Sequence, residues 1–488
     1  MFRGPLEDVL ARYALAAANL PDDCLVIRLT GDNVVPDGEF VEELASVFVE
    51  SAVEYVVASS PQSRLPYGLI GEAFLVSTLR KANAAVRSPY DREHVTPWIE
   101  RNCPSAIFAP RAIGDRDFSH LRCTIDDQED YERMRRLFER IADPVHVPWL
   151  DLAQKLTSLS GEPAFRVPYK ILSGQIHSEL VLGTAQLGME YGIVNRSGKP
   201  SRSSAVKIVR TAIAHGVTAI DAARAYDDAE TVIGEALAGA WRSRAEVVTK
   251  LNLAPTLAHD ADQSEVRAAV DLSVGRSCAE LKSPRLSTLL LHDWEHYRAW
   301  NGAAWNRMVE LRDEGMITRL GASVYAPHEA LAALRDPAIQ LLQLPMNVLD
   351  WRWKAAGVDH ALSERPDVVV HARSALLQGL LASPAESWPV FSPYEASACK
   401  RRLQELCVRF GRQNVTDLCL AYVRSQSWIT SAVVGCETLD QLQQNLSLFR
   451  TAHLTEEQSQ ELEKSLPTAP EELLNPSQWK LVHEQSPS

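Results

Sequence analysis

The sequence has no uninterrupted apolar stretch approaching the ~20 residues of a membrane-spanning helix. Its opening, MFRGPLEDVL, lacks the apolar core of a secretory signal peptide. None of its eight cysteines forms a CxxC pair or pairs with a histidine at metal-ligand spacing. Scattered thiols of this kind fit a reducing compartment better than a disulfide framework or a zinc site. Positive charge is also scarce: 50 Lys and Arg stand against 63 Asp and Glu, a net charge of -13. Such an acidic balance serves solubility and argues against phosphate-backbone binding. The expectation is a cytoplasmic protein with neither a membrane nor a nucleic acid as partner, its oligomeric state open.

At 488 residues, 46% hydrophobic and 23% charged, the chain has ordinary globular composition and room for two or three domains. Its halves read differently. Residues 1–145 form one block. Residues 146–177 hold three prolines, with a fourth at Pro144 just before them, and read as a linker with one short helix at DLAQKLTSL. Residues 466–488 read as a loose tail. Between them, residues 178–465 alternate short apolar, β-branched runs with amphipathic helical stretches. The strand candidates are 180–185, 217–221, 246–251, 286–292, 318–323, 339–345, 367–373 and 430–435. Helices such as SAVKIVRTAIAHG and WNRMVELRDEG, the latter with a glycine C-cap, lie between them. Eight apolar strands separated by helix-length segments predict an α/β fold, a parallel (β/α)8 TIM barrel. A doubly wound open sheet is the alternative, although GTAQLG matches a dinucleotide-binding GxGxxG turn poorly.

In a parallel barrel the carboxyl ends of the strands form the active face. Here they carry Asp221, with Tyr226 in the following loop, then Lys250, then His292. Taken singly, each has an ordinary explanation: a turn or cap aspartate, a packing tyrosine, a solvated lysine, a structural histidine. On successive strand ends they are chemically complementary. An ammonium lowers the pKa of a neighbouring phenol, a carboxylate holds the ammonium charged, and an imidazole orients a carbonyl oxygen. Together they would protonate an oxygen while a hydride reaches the carbon. No amino-acid side chain donates a hydride, so a nicotinamide cofactor is expected.

Residues 178 to about 450 resemble the aldo–keto reductases, metal- and flavin-free (β/α)8 barrels that use NAD(P)H. The resemblance rests on Asp221, Tyr226, Lys250 and His292, with Tyr226 as general acid/base. LGTAQLG, EGMITRLGAS, Gln343 and VVGCETLDQLQQN add to it. It implies that Gly183 and Thr184 border the cofactor, and that Ser323 and Gln343 hold the nicotinamide carboxamide. Ser374 to Gly379 would lie near the pyrophosphate, and Gly435, Gln441, Gln444 and Asn445 near the adenosine. Three positions depart from the family pattern. Val324 replaces an asparagine, Arg373 replaces the aromatic that stacks on the nicotinamide, and Glu437 replaces the basic residue that grips a 2′-phosphate. A carboxylate repels that phosphate and accepts hydrogen bonds from a ribose diol, so the cofactor, NADPH or NADH, is expected to be NADH. Trp294, Trp351 and Trp353 are candidates for an aromatic wall around a sugar.

The segments VIRLTGDNVVPD, YGLIGEAF, REHVTPW and LRCTIDDQEDY resemble cytidylyltransferases of the spore-coat polysaccharide and acylneuraminate type. The resemblance implies a partial α/β, Rossmann-like nucleotidyltransferase domain, with Asp32 and Asp126 as Mg²⁺ ligands if that domain is functional. The triphosphate-cradling loop of that family has no counterpart here, so nucleotidyl transfer is not expected. The predicted function is reduction of a small-molecule carbonyl, on a sugar or nucleotide sugar in surface-polysaccharide synthesis. The alternatives are CMP-sugar synthesis with the barrel as accessory, and a non-catalytic cofactor-binding module.

Overall fold

The computed structural model describes residues 4–5, 8–33, 37–58, 62–114, 116–119, 121–125, 128–159, 166–193, 195, 197–242, 244–253, 257–258, 260–389, 394–476 and 479. They divide into two compact units, Met1–Phe165 and Arg166–Ser488.

The first unit is built on a four-stranded mixed sheet of β1 (Leu25–Arg28), β2 (Tyr55–Ala58), β3 (Gly71–Leu75) and β4 (Ser105–Ile107), in the order β1-β3-β2-β4. Alternation along β2 sends Val56 and Ala58 to one face and Tyr55 and Val57 to the other, and each face is covered. On the first face lie Phe40 and Leu44 of helix Gly38–Glu50, which Asp37 caps. Trp149, Leu152 and Leu156 of helix Trp149–Leu159 join the same core. The short helix read in residues 146–177 is therefore present and belongs to this unit. The result is an α/β layer structure with helices on both sides.

The second unit begins with a hairpin, β5 (Tyr169–Leu172) and β6 (Gln175–Ser178). Ser173 and Gly174 turn it with φ of 50° and 78°, the left-handed pair that matches strand twist. Eight parallel strands follow: β7 (Leu180–Gly183), β8 (Ala219–Asp221), β9 (Glu246–Leu251), β10 (Leu286–Leu291), β11 (Ile317–Ser323), β12 (Leu341–Pro345), β13 (Val369–Arg373) and β14 (Ser431–Gly435). They close into a barrel, β14 pairing with β7, which excludes the open-sheet alternative. Each strand lies where apolar, β-branched residues were concentrated in the sequence.

The barrel is filled, not hollow. Val248, Leu290, Leu341 and Val369 meet inside it, and Leu172 of the hairpin packs against them. Above this apolar layer, residues two positions further along the strands are Lys250, His292, Gln343 and His371, and Arg373 lies two residues beyond His371 at the carboxyl end of β13. Alternation thus places a greasy floor under a polar mouth. Gly321 is needed where β11 passes β12: a Cβ there would stand 2.0 Å from the Leu341 carbonyl oxygen.

Among the described residues no helix is long and apolar enough to cross a membrane. All eight cysteines are free thiols.

Candidate active site

The polar mouth centres on a buried ion pair. Lys250, 1% exposed, donates from Nζ to Asp221 Oδ1 at 2.7 Å and to the Ala222 carbonyl at 2.7 Å. Gln343 Nε2 donates to the same carboxylate oxygen, also at 2.7 Å. Burial pushes the Lys250 pKa down, and the carboxylate opposes that shift. Thr184 fixes the strand end from the other side, its hydroxyl donating to the Asp221 carbonyl at 2.8 Å.

Tyr226 stands over this pair, with Lys250 Nζ 5.2 Å from its ring centre. Its ring meets that of His292 edge to face, the centroids 6.3 Å apart. The four side chains converge as the strand ends suggested. One expectation fails: the Tyr226 pKa is raised, not lowered. Burial is the main cause and Asp221 the second, with Arg373 pulling the other way. The ammonium of Lys250 is engaged by Asp221 and a carbonyl, so it gives the phenol little help. The phenol is therefore a retained proton, a donor in waiting. His292 is pushed down to about 3, by burial first and then by Lys250 and Arg373. A neutral imidazole at neutral pH can hold a carbonyl oxygen by a hydrogen bond without competing for the phenol's proton.

A second network, which the sequence reading missed, positions the Tyr226 loop. Arg224 binds Glu230 at 2.7 Å and Glu280 at 2.6 Å. Glu230 is fully buried and accepts from Thr249 at 2.6 Å and Ser277 at 3.1 Å. The loop is thus tied to β9 and to helix Gln263–Glu280. Gly188 allows the close fit: a Cβ there would lie 2.0 Å from the Tyr226 carbonyl oxygen. That glycine ends LGTAQLG, so its signal was visible while its role was not.

The residues expected to line a cofactor fall into two groups. Near the four side chains, Ser323 and Gln343 are buried register partners on β11 and β12. Gln343 Oε1 is buried with no hydrogen-bond partner. Gly183 and Gly435 pair across β7 and β14, and the Gln186 side chain lies over Gly435. Arg373 ends β13 with its guanidinium stacked 4.1 Å from the Tyr325 ring centre. Ser374 and Gly379 follow with φ of 59° and 86°.

The other group lies after β14. The Glu437 N–H donates to Gln441 Oε1 at 2.7 Å, and Thr438 caps helix Leu439–Leu448, which carries Gln444 and Asn445.

Of the three tryptophans, Trp353 is fully buried and donates to Asp350, so it belongs to the core and not to a sugar-binding wall. Trp294 stacks on Tyr297, 4.4 Å between centroids. In the first unit Asp32 is exposed and accepts from Thr124 Oγ1 at 3.2 Å, while Asp126 lies outside the described residues.

A closed parallel barrel with Asp, Tyr, Lys and His gathered at its carboxyl end defines a class of oxidoreductase. The aldo/keto reductase family model matches residues 179–467, and the chain belongs to that family. A 6-dehydroglucose reductase from Novosphingobium aromaticivorans is 24% identical over 279 residues, 49% of this chain and 91% of that protein. The holo form of the aldo-keto reductase AKR11C1 from Bacillus halodurans superposes with a TM-score of 0.50 at 20% identity, covering 62% of this chain and 98% of that one. The spore coat polysaccharide biosynthesis protein SpsF of Bacillus subtilis is 28% identical over 167 residues, 33% of this chain. The chain spans 65% of the length of SpsF.

Proposed function

We propose that the barrel reduces a small-molecule carbonyl with a nicotinamide dinucleotide. The observation that carries this reading is the convergence of a protonated phenol, Tyr226, and a neutral imidazole, His292, over the buried Lys250–Asp221 pair.

The fit of the cofactor is supported by the unsatisfied acceptor Gln343 Oε1. A buried acceptor without a donor is costly, and a carboxamide N–H₂ supplies that donor. Ser323 beside it offers a second polar contact. When bound, the dinucleotide supplies a hydride. The protein's own residues do the rest. His292 and Tyr226 hold the carbonyl oxygen, and Tyr226 gives it a proton. Arg373, which draws the Tyr226 pKa down, favours the phenolate left behind, while the Lys250–Asp221 pair forms the fixed floor beneath the ring. Thr184, Arg224 and Gly188 act through the backbone and loop that position these groups.

Glu437 after β14 favours NADH by repelling a 2′-phosphate. A sugar or nucleotide-sugar substrate is suggested by the names of two relatives, the 6-dehydroglucose reductase and SpsF; the association is one of similarity alone.

The test is Tyr226→Phe assayed beside wild type on a panel of small aldehydes and sugar carbonyls. General acid catalysis contributes roughly 10²–10⁴-fold, so kcat should fall by that much while the dinucleotide Kd stays within about twofold. Unchanged turnover would remove Tyr226 from the reaction and favour a non-catalytic binding module.

A further inference from the structure

Around Tyr226 the described residues place two cations, Lys250 and Arg373, and one carboxylate, Asp221. Lys250 is neutralised by Asp221 at 2.7 Å. Arg373 has no such partner among the described residues: its contacts are the Tyr325 ring at 4.1 Å, the Val324 carbonyl at 3.3 Å and Ser374 Oγ at 3.5 Å. His292 is neutral at physiological pH. Among the described residues around Tyr226 one positive charge therefore has no carboxylate partner, in a chain whose net charge is -13. The stack on Tyr325 and the bond to Val324 hold the guanidinium half-buried and keep it from swinging into solvent. Its field reaches the reacting groups. Behind burial as the leading cause, Arg373 draws Tyr226 down and pushes Lys250 and His292 down as well.

The two redox forms of a nicotinamide ring differ in charge, neutral when reduced and positive when oxidised. The ring's donor carbon must approach within about 3–3.5 Å of a carbonyl carbon whose oxygen sits at Tyr226. Arg373 lies two residues beyond His371, the register partner of Gln343 on the neighbouring strand; neighbouring strands lie about 4.8 Å apart and each residue rises about 3.3 Å. The ring is thus within a Debye length, about 10 Å, of the guanidinium. We propose that Arg373 makes the site discriminate between the redox forms of its dinucleotide, binding the reduced form tighter than the oxidised one. This rests on the dinucleotide reading above.

The discrimination acts at both ends of the cycle. In a mixed pool the reduced form occupies the site. During turnover the hydride and its electron pair leave the ring for the carbonyl carbon, the carbonyl π pair moves to oxygen, and that oxygen takes the Tyr226 proton. The carbonyl is reduced, the ring oxidised, and a new positive charge appears beside Arg373. The oxidised product is thereby loosened for release. The same repulsion makes hydride transfer on the protein less downhill, as linkage requires.

The experiment uses the full chain. Kd is measured for NADH by its own fluorescence and for NAD⁺ by displacement of NADH, with the phosphorylated pair in parallel. Wild type is compared with Arg373→Met, which keeps bulk and loses charge, and Arg373→Lys, which keeps charge. Wild type is expected to bind the reduced form about tenfold tighter, the effect of like charges several ångströms apart at a partly screened site. Arg373→Met should reduce that ratio several-fold, and Arg373→Lys should retain most of it. In wild type alone, raising salt from about 0.01 to 1 M should shrink the ratio, a readout that needs no variant to fold. A ratio that Arg373→Met leaves within about twofold of wild type overturns the proposal while leaving the dinucleotide reading intact. A collapse in Arg373→Lys equal to that in Arg373→Met overturns it too, since packing and not charge would then be the cause. Binding of neither dinucleotide overturns both.

Discussion

His371 shows how far one buried side chain can govern behaviour. It is fully buried on β13, and neither ring nitrogen has a hydrogen-bond partner. Burial, helped by His177, Arg319 and Lys250, pushes its pKa down to about 3. His177 is lowered to about 4, mainly by burial. In the unfolded chain such imidazoles take a proton near pH 6.5. The folded protein lags behind, so its stability is full above about pH 6.5 and is lost as the pH falls from there toward 4. In that window one fully depressed histidine contributes roughly 1.4 kcal/mol per pH unit. Urea unfolding at pH 7.5 and pH 5 should show the loss, and His371→Leu should make it smaller. An identical pH slope in the variant would mean that His371 is protonated in the folded state.

The Tyr226 loop carries the lesson at the scale of elements. Its tyrosine was legible because it follows a strand end, and strand ends of a parallel barrel face one mouth. The same rule exposed Asp221, Lys250 and His292. What the sequence hid were the partners. Glu280 lies 56 residues from Arg224, and nothing local marks the pair. The direction of the Tyr226 shift was hidden for a similar reason, since it depends on whether Lys250 spends its protons on Asp221 or on the phenol. Trp353 read as a wall residue because loop position alone does not reveal which way a side chain faces. Gly188 gives this account a test. Gly188→Ala puts a methyl against the Tyr226 carbonyl oxygen and 2.8 Å from Ala229, so the loop must shift. A displacement near 1 Å costs about 10²-fold in rate, and kcat should fall by that order with the far-UV CD spectrum preserved. Wild-type turnover in Gly188→Ala would show that the loop adjusts freely.

Across the whole molecule, two compact units share one chain, and the family assignment covers only the second. The barrel was legible because eight apolar runs at helix-length spacing leave few other folds. The first unit was legible by resemblance, its sheet order being set by long-range pairings such as Leu25 with Leu75 that no local pattern announces.

The barrel mouth as a dinucleotide site is the claim on which the rest stands. Its most direct test is a fluorescence titration of the full chain with NADH and NADPH in parallel, wild type beside Glu437→Arg. The account predicts saturable binding to wild type with NADH favoured, and a shift toward NADPH of about tenfold or more in Glu437→Arg, the worth of replacing one repulsive charge by a charge-assisted contact. Absence of binding by either dinucleotide would contradict it.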